Sequence, residues 1–382
     1  MQDQRFIPFA MERWQSTYEY RVDFNLSESG VHPLTVRELS DLAGEDALGD
    51  TLLGYGQSNG SDELRARIAE RYPGAHDAGV VVTNGSAEAN FAAVWRLVSP
   101  GDEVAVIVPA YMQTHGLSRQ LGATVREVPL RPEHGWQLDP DDVARAVTDR
   151  TRLIVVTNPN NPTGAVLNAP GRRAIVEAAE RTGAWILADE VYTGAEIGDA
   201  AAETPSFFGA TARVIATGSL SKAYGLPGLR IGWTVSDPAT AEALWARTDY
   251  TTISPGDLTD RLARLALRPD VRPRILERTR SRILRGLAIL EHWLEGRAGF
   301  TWHRPDAGAI CFARYDLPIA SGELAERLRA DHSVLIVPGE HFGVEGHIRF
   351  GIGIPETDLA DALERVGQAF DRIAAAQPAP RS

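Results

Sequence analysis

The chain is expected to fold as an α/β protein: a mostly parallel sheet flanked by helices, followed by a smaller α+β domain. Three observations lead there. Short apolar, β-rich runs alternate with helical patterns through the middle of the chain, as in a parallel sheet covered on both faces. That alternation gives way after about Ser254 to a long charged helix and isolated strand candidates. At 382 residues the chain also exceeds one small core.

In order, the runs at 103–108, 153–157, 184–188, 214–217 and 230–235 are expected strands, and helices are expected near 112–121, 140–148, 170–182 and 238–248. Beyond Ser254 a helix is expected over 274–294, then strands at 309–314 and 348–351 and an amphipathic helix near 356–375. The long helix covers only about three heptads, too few for a coiled-coil module, and reads as domain-spanning. The expected organisation is 1–40 joining the small domain, 41–254 as the large domain and 255–382 as the small one. The tail 376–382 is expected to fray.

Composition narrows the function. Hydrophobic residues make up 43% of the chain, an ordinary globular fraction, and 39 basic against 51 acidic residues leave a net charge of −12. That balance argues against nonspecific binding to nucleic acid. The single cysteine, Cys311, precludes an intrachain disulfide and reads as a packed apolar residue. The opening MQDQRFIPFAMERW lacks the basic start and apolar run of a signal peptide, and no segment reaches the roughly 18 apolar residues of a membrane span. A cytoplasmic protein is the expectation. The histidines are scattered without ligand spacing, so no metal site is expected, and no glycine pair has the context of a dinucleotide loop.

The most informative stretch is GSLSKAYGLPGLRIGW, from Gly218 to Trp233. A lysine between hydroxyl residues and a Gly-Leu-Pro-Gly turn, followed by an arginine, suits an amine lying beside a bound anion. Lys222 can form a Schiff base with an aldehyde cofactor, while Ser219, Ser221 and Arg230 can hold that cofactor's phosphate. Asp189 ends the apolar run AWILAD, where a carboxylate can keep a pyridine nitrogen protonated. The string TNGSAE places Ser86 and Ala87 where a strand turns into a helix, a site of free backbone amides.

The Lys222 string resembles the cofactor-lysine motif of the pyridoxal-phosphate (PLP) enzymes of fold type I, in the class I/II aminotransferase group. The resemblance runs from about Asn25 to Gly353 and includes NPNNPTG at 158–164 and ADEVY at 188–192. It implies PLP as the cofactor and an amino acid with a 2-oxo acid as substrates. It further implies that Lys222 carries the cofactor and moves protons, that Asp189 faces the pyridine nitrogen, and that Asn161 and Tyr192 face the phenolic oxygen. Tyr111 would stack on the ring, and Ser86 and Ala87 would bind phosphate. Arg349, in HIRFGIG, matches the arginine that clamps the substrate α-carboxylate, and NLSESG at 25–30 resembles a loop that covers the substrate, with Gly30 near the carboxylate. Tyr55 matches a tyrosine that crosses to the neighbouring subunit's phosphate in relatives, which implies a homodimer.

Two departures bear on the substrate. Dicarboxylate-specific relatives carry an arginine before the Ser-x-Pro stretch, but here it reads DYTTISPG with no arginine closer than Arg247. Glu28 lies beside the expected pocket mouth, where it can pair with a basic side chain, and it is also an ordinary loop glutamate. SGVH with DYTTISPG is similar to a branch of the family that includes capreomycidine synthase, which eliminates a β-hydroxyl from an arginine derivative and closes a ring. Aminotransfer is therefore the leading expectation, elimination with cyclisation the alternative, and a regulator built on the same fold a distant third.

Overall fold

The computed structural model describes residues 6–46, 48, 53–198 and 202–375; the tail 376–382, expected to fray, lies outside them. The N-terminal part contains α1 (Ala10–Tyr18), β1 (Phe24–Asn25), α2 (Val36–Ala43) and α3 (Asp62–Ala69). The alternating middle runs β2 (Val80–Asn84), α4 (Ser86–Leu97), β3 (Glu103–Val108), α5 (Gln113–Gln120), β4 (Thr124–Arg131), β5 (Gln137–Leu138) and α6 (Pro140–Ala146). It continues with β6 (Thr151–Thr157), α7 (Ala169–Thr182), β7 (Trp185–Asp189), β8 (Val214–Ser219), β9 (Ile231–Val235) and α8 (Pro238–Thr248).

These strands form one eight-stranded sheet in the order β2-β9-β8-β7-β6-β3-β4-β5. The pairs from β8 through β7, β6 and β3 to β4 are parallel, whereas β9 runs antiparallel to both of its neighbours. Strands covered on both faces bury every residue, and β8 and β9 do so throughout. The five expected strands are all present. The expectation passed over β4, whose TVREVPLR is largely half-exposed and so lacks an apolar run.

Helix starts follow local chemistry. Asp139, Asn168 and Asp237 cap α6, α7 and α8, each accepting a hydrogen bond from a first-turn N–H, and each helix has proline in its first two positions. The proline costs nothing there, because those N–H groups have no partner within the helix.

The C-terminal part holds α9 (Asp257–Ala266), α10 (Arg272–Glu295), β10 (Phe300–Trp302), β11 (Ile310–Tyr315), α11 (Ser321–His332), β12 (Val334–Leu335), β13 (Val337–Pro338), β14 (His347–Gly351) and α12 (Glu356–Ala375). A second, antiparallel sheet has the order β10-β11-β14-β13, and β1 pairs in parallel with β12. The segment after β1 is strapped to the end of β14: Gly351 N–H donates to Leu26 O at 2.6 Å, and His32 N–H to Gly353 O at 2.7 Å. Among the described residues, no helix is long and apolar enough to cross a membrane.

Candidate active site

The carboxyl ends of β6, β7 and β8, the start of α4 and the strapped N-terminal segment enclose a cavity of about 320 Å³. Its lining includes Ser86, Ala87, Tyr111, Asn161, Asp189, Tyr192, Ser221, Lys222 and Arg230, all singled out from sequence. Open α/β sheets present side chains at this edge because the loops after parallel strands converge there.

Asp189 closes β7 and is buried. Burial raises its pKa, opposed by Asn90, by the Val191 N–H and by the charge of Lys222. Asn90 Nδ2 donates to Asp189 Oδ2 at 2.8 Å, and Thr217 Oγ1 donates to Asn90 Oδ1 at 3.0 Å. The threonine thereby fixes which end of the amide meets the carboxylate. Sequence reasoning missed Asn90. Its signal was a polar residue on the buried face of α4, four positions after Ser86.

At the opposite end, Gly85 takes φ 78° before α4, and no side chain caps the helix. A Cβ on Gly85 would come within 2.3 Å of Arg230 Nη2, so the guanidinium lies directly over the helix start. Arg230 itself has φ 53°, a left-handed conformation uncommon outside glycine and often found at functional sites. Ser221 lines the cavity; Ser219 is buried behind it, its Oγ accepting the Ser221 N–H at 3.2 Å. Uncapped amides, hydroxyls and a guanidinium together match a phosphate dianion.

Lys222 Nζ lies 2.8 Å from Glu28 Oε1. Burial works against the charges of both partners, but each is outweighed: Lys222 is raised above its usual value, and Glu28 is held at about 2 by Lys222 and by the Gly30 and Ser29 N–H groups. Glu28 is thus tied to the lysine, although its side chain stays 43% exposed. Gly30 contributes its N–H to that carboxylate at 2.9 Å. Tyr192 OH donates to Ser29 Oγ at 2.9 Å.

Arg349, on β14, is 1% exposed and stands behind Asn161, donating from Nη1 to Asn161 Oδ1 at 2.7 Å and from Nη2 to Ser27 O. Its Nε is buried without a partner. Tyr111 meets α1, its OH donating to Glu12 Oε1 at 3.0 Å, and burial with the Glu12 charge pushes its pKa up. Helix α1 lies across the opening and adds Glu12, Gln15 and Ser16 to the lining, and its C-cap adds Glu19. Their spacing puts them on one helical face, but nothing in the sequence says what that face covers. Tyr55 is not brought to the cavity within one chain; it is 92% exposed and bridges to Gly256.

The family model for aminotransferase class I and II matches residues 24–366. The chain belongs to that family. Its members take PLP, and the donor set described above fits that group at the phosphate, ring-nitrogen and lysine positions. Capreomycidine synthase of Streptomyces vinaceus is 35% identical over 95% of this chain and 94% of its own. A probable aspartate/prephenate aminotransferase of Thermus aquaticus is 33% identical over 86% of each chain. The arginine–pyruvate transaminase of Pseudomonas aeruginosa is 31% identical over 82% of this chain and 81% of its own. Among solved structures, a PLP-dependent aminotransferase from Streptococcus suis superposes with a TM-score of 0.90 at 32% identity, covering 96% of this chain and 98% of its own. A PLP-dependent cyclase, OrfR, superposes at 0.87 with 28% identity, covering 97% and 99%. The fold is therefore that of fold type I PLP enzymes, with a mixed sheet flanked by helices and a smaller antiparallel sheet.

Proposed function

We propose that this chain is a PLP-dependent aminotransferase acting on an L-amino acid with a basic side chain and passing the amino group to a 2-oxo acid. The observation that supports the substrate class is the charge of the cavity mouth. Glu12 and Glu19 line it, besides the Glu28–Lys222 pair. Burial together with the charges of Glu28 and Glu12 raises the Glu19 pKa, so the mouth favours a cation. The arginines near the cavity already have other tasks: Arg230 overlies the helix start, and Arg349 is buried behind Asn161.

In this reading Arg349 binds the α-carboxylate and aligns the Cα–H bond, with Asn161 holding the guanidinium. Lys222 Nζ would accept the proton from Cα as general base and, as general acid, deliver it two atoms along, to the cofactor carbon that the amino nitrogen joins. PLP, when bound, supplies an aldehyde for the amino group and a ring that draws electrons from Cα. With PLP bound, Asp189 would hold the proton on the ring nitrogen, Tyr192 and Asn161 would serve the phenolic oxygen, and Tyr111 would support the ring. Ser86, Ala87, Ser219, Ser221 and Arg230 hold the phosphate.

The similarity to capreomycidine synthase over 95% of the chain supports a second reading, loss of a β-substituent from a basic amino acid with ring closure. Product analysis separates the two. Amino transfer to a 2-oxo acid in equal amount supports the first, and turnover of a β-hydroxylated basic amino acid with no acceptor supports the second.

We also infer a homodimer. The exposed Tyr55 lies at the surface with Leu53 and Ile253, and Phe91, Trp95 and Tyr250 form an exposed aromatic chain with successive centroids 5.9 Å apart. Sedimentation of the wild type as a two-chain species, with W95E shifted toward one chain, is the expected result.

A further inference from the structure

Glu28 owes its position to its own backbone. Its Oε1 accepts the Ser29 N–H at 2.8 Å and the Gly30 N–H at 2.9 Å, and the same oxygen lies 2.8 Å from Lys222 Nζ. The loop carrying these donors is fixed in turn by the end of β14. A Cβ on Gly351 would come within 2.0 Å of Glu28 O, and one on Gly353 within 2.2 Å of Gly30 O, so only glycines let the loop lie there. Arg349 adds a hydrogen bond to Ser27 O. None of these restraints involves the lysine, so the carboxylate is aimed at the amine in advance.

We propose that Glu28 is the resident counter-ion of the Lys222 nitrogen, keeping that nitrogen protonated in the PLP-loaded enzyme before substrate arrives. The proposal rests on Lys222 being the PLP-bearing lysine. It makes Glu28 a positioning residue that acts through Lys222, and no bond is made or broken in this role. The other ionisable groups whose charges act on the nitrogen are Asp189 at the end of β7, Tyr192 three residues beyond it and Arg349 from β14. Glu12 and Glu19 of the α1 segment and Arg230 lie around the same cavity. Among the described residues, Glu28 is the one in contact with Nζ. Arg349 opposes the proton and Tyr192 favours it, both without touching it.

An opposite charge within about 4–6 Å shifts a titration by roughly one to three units, and each unit is tenfold in the amount of free amine. The test titrates the visible band of the PLP-loaded wild type and E28Q, and follows PLP loading into both cofactor-free proteins near neutral pH. Glutamine keeps the acceptor for Ser29 and Gly30, so the loop is retained. The expected result is a midpoint at least about one unit lower in E28Q and loading about tenfold faster or more, because the amine must shed its proton to react. E28D should recover part of the shift, which a merely structural role would not predict. Superimposable titrations of wild type and E28Q, with PLP fixed to Lys222 by borohydride in both, overturn this proposal alone. A wild type with no such adduct at Lys222 overturns the functional reading, and this one with it.

Discussion

The inner wall of the cavity and its lip are built differently. The inner wall comes from strand ends and the start of α4, its carboxylate buried and tied through Asn90 to the neighbouring strand at Thr217. The lip comes from α1 and the 25–30 loop, with half-buried glutamates: Glu12 meets Tyr111, and Glu28 meets Lys222 and the Ser29 and Gly30 N–H groups. A rigid wall suits the cofactor that the family shares, and an acidic lip suits the part of the site that distinguishes substrates. The wall fits the cofactor of the family that the chain belongs to, and the substrate proposal rests on the lip.

Substitutions can break or sharpen that contrast. In the wall, K222A should lower turnover by about 10⁴-fold or more, since positioned proton transfer alone contributes up to about that. Mass spectrometry after borohydride should find no adduct. R349Q should raise KM by roughly 10²-fold, as expected for losing charged hydrogen bonds worth about 1.5–3 kcal/mol each. Steady-state kinetics in which kcat fell alone would place Arg349 outside carboxylate binding.

N90A should weaken PLP binding by about 1–3 kcal/mol, the cost of an unsatisfied buried carboxylate partner. It should also steepen a pH dependence. Asp189 has its folded pKa raised above 3.8, so ionising it costs the cofactor-free chain stability as pH climbs from 3.8 through the raised value. Without Asn90 that loss should grow, which thermal unfolding across acidic pH would reveal.

Lip substitutions should be milder. E12Q and E19Q should each lower the preference for basic over neutral amino acids by a few-fold, the scale of a partly solvated ion pair at about 0.2–1 kcal/mol. A competition assay that found no change would remove the charge argument for substrate class. A separate effect should appear on the cofactor-free fold. Glu28 is depressed from 4.5 to about 2, so its contribution is present above pH 4.5 and lost as pH falls toward 2. Unfolding midpoints of wild type and E28Q should therefore differ near neutrality and converge in acid.

Much of the wall was legible in advance because it consists of local strings. Lys222 follows Ser219 and Ser221 and precedes a Gly-Leu-Pro-Gly turn, Asp189 ends an apolar strand, and Asn161 sits in a turn after another. Strand ends point such residues to one edge whatever the rest of the chain does. Asn90 was not legible, because an asparagine within a helix acquires meaning only from the aspartate 99 positions away that it meets. Glu28 was noticed as a loop acid, but its 194-residue separation from Lys222 hid the pairing.

The sequence alone determined the α/β class, the five central strands, the long helix and the strings that come to line the cavity, because apolar period, caps and turns act over a few residues. The tertiary structure decided that α1 covers the opening, that β14 straps the loop bearing Glu28, and that Tyr55 stays outside the cavity of its own chain. Those outcomes depend on how distant surfaces pack against one another, and no short window of sequence contains both halves of such a contact.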